Sequence, residues 1–70
     1  MTDSIYRVTE VIGTSTESWE DAARNAVETA ARSLRDLRVG EIVKLDLTIE
    51  DGHVSHYRAR VNVSFKYETD

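Results

Sequence analysis

Few side chains in this sequence can do chemistry. His53 and His56 stand three residues apart. A closed zinc site wants four ligands, and there is no cysteine to complete one. No serine, histidine and aspartate follow a hydrolase pattern, and no nucleophile elbow is present. Arg58, Arg60 and Lys66 share the parity of a single strand segment. That spacing puts them on one sheet face, where they can take an anion or pair with acids such as Asp46 and Glu41. Trp19 is the lone tryptophan, a flat surface that can stack on a ligand or anchor a core or an interface. These residues suit binding better than turnover.

The chain that must position them is short. Seventy residues make one small domain, which buries only about 60% of the surface its unfolded form exposes. A core of that size rarely contributes more than about 3–5 kcal/mol. Without cysteine, disulfides and thiolate metal sites are ruled out as reinforcement. Self-association is the leading candidate for added stability. The net charge is −4 and the pI about 5.0, which argues against nucleic acid as a partner. The opening "MTDSIYRVTE" has no apolar stretch of the signal-peptide kind, and no segment reaches the roughly 20 apolar residues of a membrane span. A cytoplasmic protein with no membrane partner is the expectation.

Three periodicities follow one another. Residues 5–12, "IYRVTEVI", are rich in β-branched and aromatic residues and read as a strand ending in the turn-prone "GTSTES". Residues 19–38 read as a helix: Trp19, Ala22, Ala23, Ala26, Val27, Ala30, Leu34 and Leu37 form one apolar stripe. Ser18 is the expected N-cap, with Glu20 and Asp21 in the first turn and Arg32, Arg35 and Arg38 toward the other end. Glu20–Arg24 and Glu28–Arg32 have the favourable i,i+4 orientation.

Residues 41–49 and 53–67 read as two strands. In the second, Tyr57, Ala59, Val61, Val63, Phe65 and Tyr67 alternate with His56, Arg58, Arg60, Asn62, Ser64 and Lys66. In the first, Val43, Leu45, Leu47 and Ile49 alternate with Lys44, Asp46, Thr48 and Glu50. A two-residue Asp51-Gly52 loop would pair Glu50 with His53 and so set Leu45 against Arg58, an apolar face against a polar one that sheet alternation forbids. A three-residue loop, Glu50 to Gly52, pairs Leu45 with Tyr57 and is therefore predicted. In that register Asp46 faces His56 and Lys44 faces Arg58.

The fold class follows: α+β, in the order β-α-β-β, a three-stranded antiparallel sheet packed on one long helix, with residues 1–70 as a single domain. In this order and at these lengths the chain resembles the dodecin family. The likeness is carried by "YRVTEVIGTS" at 6–15, "AARNAVETAARSLRDLR" at 22–38, "EDGHVSHYR" at 50–58 and "VNVSFK" at 61–66. The resemblance implies a hollow homododecamer that binds a small ligand, flavin in much of the family, for storage and not for catalysis.

The family's ligand positions differ here. Where dodecins place a tryptophan against the flavin ring, this chain has Val39. Where a glutamine meets the pyrimidine edge, it has Arg58, and where an arginine often stands in mid-strand, it has Asp46. Valine offers no π-face, and arginine offers donors but no acceptor. The expectation is weak or absent flavin binding in the usual mode. The missing tryptophan and the start Ser18-Trp19-Glu20 resemble the calcium dodecin branch, which implies a cation-linked role. Calcium takes six to eight oxygen ligands, and no calcium-loop motif is present, so such a site would be assembled across subunits. Its candidate ligands are Glu17, Glu20, Asp21, Asp46, Glu50 and Asp51. Three readings stand: a cation-holding shell, a riboflavin- or FMN-storing dodecin, and an assembly with no specific ligand.

Overall fold

The computed structural model describes residues 5–66. Tyr67, expected to end the last strand, lies outside them. The elements are β1 (Tyr6–Ser15), α1 (Trp19–Ala30), β2 (Leu37–Glu50) and β3 (His53–Lys66). The sheet is antiparallel with strand order β1-β3-β2. The expected β-α-β-β class is therefore observed. The helix crosses β1 and β3 and barely touches β2. The radius of gyration, 14.6 Å, exceeds the roughly 11 Å of a compact chain of this length. The cause is the β2–β3 hairpin, which runs past the end of β1 at the Ser15–Tyr57 pair.

β1 is longer than expected. Gly13, Thr14 and Ser15 continue the ladder opposite Ala59, Arg58 and Tyr57. Gly13 is in a strand because the helix lies directly on it. A Cβ there would sit 2.0 Å from the Ala22 carbonyl oxygen and 2.8 Å from the Ala26 Cβ. Ala22, Ala26, Ala59, Val61 and Val63 are the buried apolar core, flanked by Val11, Ala23, Val27, Leu34 and Leu37. The alanine stripe thus works as a close-packing surface.

The helix is shorter than the 19–38 expected. Ser18 caps it, its hydroxyl accepting from the Asp21 N–H at 3.0 Å. After Ala30 the N–H groups of Arg32 and Ser33 turn to carbonyls three residues back, and Asp36 adopts a left-handed φ of 56°. Nothing in "RSLRD" opposes a helix by propensity. Tertiary demand ends it: Leu37 is already paired with Phe65 in the sheet. Arg32, Arg35 and Arg38 consequently do not form a basic last turn, and neither helix pair, Glu20–Arg24 or Glu28–Arg32, closes to an ion pair.

The hairpin register also departs from expectation. The loop has two residues, with Glu50 opposite His53, and Asp51 and Gly52 both at positive φ (52° and 78°). This is the geometry that an Asp-Gly turn favours. The faces are reconciled by a bulge. Ser55 is an extra residue between the Ile49–Val54 and Thr48–His56 pairs. Its hydroxyl bonds that of Thr48 at 2.5 Å and donates to the Thr48 carbonyl oxygen at 3.2 Å. Leu45 therefore faces Ala59, not Tyr57; Asp46 faces Arg58, not His56; and Lys44 faces Arg60, not Arg58. Further irregularities at Arg38 and Val43 break the β2 alternation, so Ile42, not Val43, lies opposite Val61.

Candidate functional site

Cross-strand partners share a sheet face, so the register defines two surfaces. The helix side carries Val11, Gly13, Ala59, Val61, Leu45 and Leu47. The other side, the outer face, carries rows of three. These are Val8, Ser64 and Val39; then Glu10, Asn62 and Glu41; then Ile12, Arg60 and Lys44; then Thr14, Arg58 and Asp46. All three positions expected to meet a ligand, Val39, Asp46 and Arg58, fall on this outer face.

The structure joins two of them. Arg58 donates from Nε to Asp46 Oδ1 at 2.7 Å and from an Nη to Oδ2 at 3.1 Å. This two-point geometry is the strongest form of a carboxylate pair. The arginine holds the Asp46 carboxyl below the ordinary carboxylate range, against the desolvation that raises it, with Lys44 and Arg60 adding to the lowering. The same hydrogen bond raises the Arg58 guanidinium. Asp46 is also fixed from the helix side, since the Trp19 indole N–H donates to its carbonyl oxygen at 3.1 Å. The Trp19 ring meets Tyr57 edge-on, with centroids 5.2 Å apart. Trp19 thus anchors an edge strand that the helix otherwise hardly reaches.

Val39 is not part of that group. It is 60% exposed, and the Ser64 hydroxyl donates to its carbonyl oxygen at 3.4 Å. Ser64 and Arg58 are six residues apart on β3, which at about 3.3 Å per residue is roughly 20 Å. One protomer does not bring Val39 and the Asp46–Arg58 pair to one small ligand.

The cationic residues divide similarly. Arg58 and Arg60 are neighbours on the outer face, while Lys66 lies near the far end of β3, opposite Tyr6. Arg60 approaches Glu10, Nε to Oε1 at 3.9 Å, whereas Glu41 faces Asn62. The candidate calcium ligands are scattered. Glu17 and Glu20 are exposed at the helix start. Asp21 accepts from the Ser15 hydroxyl at 2.7 Å, and Glu50 and Asp51 stand at the hairpin tip. Among the described residues no three histidine, aspartate or glutamate side chains converge to hold a metal. A shallow groove between β1 and α1, lined by Ile12, Asn25, Thr29 and Leu34, contains none of the candidates.

Sequence reasoning missed the Trp19–Asp46 link, the Ser55–Thr48 stitch and the Glu10–Arg60 approach. Each depends on register, and the register turns on bulges that alternation alone does not announce.

This geometry, a helix laid on alanines and glycine across a three-stranded sheet with a long overhanging hairpin, agrees with comparison to known proteins. The sequence model of the dodecin family matches residues 5–68. The chain belongs to the dodecin family, a family of small-ligand-binding proteins. Calcium dodecin of Mycobacterium tuberculosis is 41% identical over 63 residues, covering 90% of this chain and 89% of that protein. Its crystal structure, described as calcium-chelating with a novel calcium-binding site, superposes with a TM-score of 0.82 at 40% identity over 96% of each chain. Dodecin from Streptomyces coelicolor gives a TM-score of 0.90 at 40% identity over the whole of both chains. Dodecin of Thermus thermophilus is 33% identical over 64 residues, 91% of this chain and 93% of that protein. Among the described residues no helix is long and apolar enough to cross a membrane.

Proposed function

We propose that the whole chain, residues 1–70, is one domain that assembles into a hollow homododecamer, stores a small ligand or ion in the cytoplasm, and has lost the stacked-flavin mode. The observation that carries this reading is the outer face. At the stacking position stands an exposed valine, and the other two ligand positions on that face, Asp46 and Arg58, are joined to each other. An aromatic partner is worth about 0.5–1.5 kcal/mol beyond burial, and Val39 supplies none of it. Assembly is supported by the exposed apolar side chains on both edge strands, including Val8 and Ile12 on β1 and Ile42, Leu45 and Leu47 on β2. A chain with so small a core gains most by covering them.

Calcium is the ion we favour, on the likeness to the calcium dodecin of M. tuberculosis. The six acids do not meet within one protomer, so the site is completed by copies brought together, with carboxylates drawn from Glu17, Glu20, Asp21, Asp46, Glu50 and Asp51. The test pairs two titrations on protein stripped with chelator and dialysed. Calorimetry with calcium is expected to give saturable binding. Riboflavin and FMN are expected to keep their fluorescence. Tight, saturable flavin quenching would overturn the loss of stacking, and absence of calcium binding by the assembled particle would overturn the cation role.

A further inference from the structure

The Asp46–Arg58 pair has a second consequence for the outer face. Lys44 and Arg60 are directly opposed across β2 and β3, and Arg58 lies two residues along on the same face. Three cations are thus gathered in a chain whose net charge is −4. Like charges set opposite one another cost stability. Among the described residues, the acids within ion-pair distance of these cations are Asp46, at 2.7 Å from Arg58, and Glu10, at 3.9 Å from Arg60.

We propose that Asp46 is a specificity-determining residue that occupies Arg58 as a built-in anion and so closes this patch to phosphate- and carboxylate-bearing ligands. The inference rests on the reading of the outer face as the ligand-facing side. Asp46 engages two of the guanidinium's donors with its two oxygens, the two-point arrangement by which arginine grips a carboxylate or phosphate ligand. A free anion must displace a carboxylate that is covalently tethered and therefore always present at high effective concentration. That carboxylate is also pre-positioned. Its backbone carbonyl is held by the Trp19 indole, and Trp19 rests on Tyr57, the residue before Arg58. Removing the carboxylate leaves Arg58, Lys44 and Arg60 on one face, with Glu10 near Arg60 at 3.9 Å and Glu41 in the next row.

The experiment measures pyrophosphate binding by calorimetry on the full-length assembled protein, comparing the parent with Asp46→Ala, Asp46→Asn and Asp46→Ala/Arg58→Ala. Glu41→Gln, on the same face and with the same change in charge, controls for the general field. Both Asp46 variants are expected to bind pyrophosphate roughly tenfold or more tightly than the parent, the scale of one charge-assisted hydrogen bond. The gain should vanish in the double variant, and Glu41→Gln should show little of it. Equal affinity of parent and both Asp46 variants, or a gain that survives loss of Arg58, overturns the proposal. Light scattering on each sample reports assembly separately, so a failure of the shell reading is distinguishable from a failure of this one. Asp46→Asn keeps the side-chain shape if Asp46→Ala does not assemble.

Discussion

Gly13→Ala is a one-carbon change that should nearly abolish the fold. The added Cβ would lie 2.0 Å from the Ala22 carbonyl oxygen, 2.8 Å from the Ala26 Cβ and 2.9 Å from the Ala26 nitrogen. Two of the three atoms are backbone, so no side chain can step aside, and the helix itself must lift by about 1 Å. A gap of that size forfeits a quarter to a half of each dispersion contact it opens. The contacts at risk are those of Ala22 and Ala26 with the sheet, which make up much of the core of five buried apolar residues among the described residues. Overpacking of this kind costs about 1–3 kcal/mol, occasionally more. With no flexible neighbour to absorb it, we expect the upper end, about 3 kcal/mol, against the 3–5 kcal/mol that so small a core supplies. Urea unfolding followed by circular dichroism, at one protomer concentration because association shifts apparent stability, should show a midpoint about 3 M lower at a slope near 1 kcal/mol/M. A midpoint within about 0.5 M of the parent would refute the close helix–sheet packing.

Gly40→Ala should behave oppositely: its Cβ would meet Val27 and Val61 at 3.4 and 3.5 Å, and the stiffer unfolded chain should raise stability by about 0.4–1 kcal/mol in the same denaturation assay. Trp19→Phe removes the hydrogen bond to the Asp46 carbonyl oxygen and should cost about 1 kcal/mol in thermal or chemical unfolding. The Asp46 carboxyl, held down by Arg58, contributes stability at pH values above the ordinary carboxylate range, and that contribution is lost only as pH falls through its lowered value. Carboxyl-carbon NMR should show Asp46 titrating below the ordinary carboxylate range, and Arg58→Ala should return it toward that range.

The class of fold was legible because it rests on local patterns. The β3 alternation from Tyr57 to Phe65 survived intact, since that strand is central and paired on both sides. The Ser18 cap and the alanine stripe likewise sit where the spacing puts them. The parity of the edge strand β2 misleads because extra residues at Arg38 and Val43 on β2, and Ser55 on β3, shift the register, and a single strand's parity does not reveal them. The face rule at Leu45 was sound, but it was satisfied by Ser55 bulging, not by a longer loop. That moves Asp46 from opposite His56 to opposite Arg58, where one of the acid pairings open to the strand's cations closes. The helix end was hidden for a related reason: "RSLRD" carries no stop residue, and only the pairing of Leu37 with Phe65 dictates the turn at Asp36.

The measurement that reaches furthest is native mass spectrometry of protein purified without chelator. Copies of a 7.9 kDa chain should fly as a single dodecameric particle that carries calcium and no flavin. A folded monomer, or a dodecamer bearing stoichiometric flavin, would contradict the account.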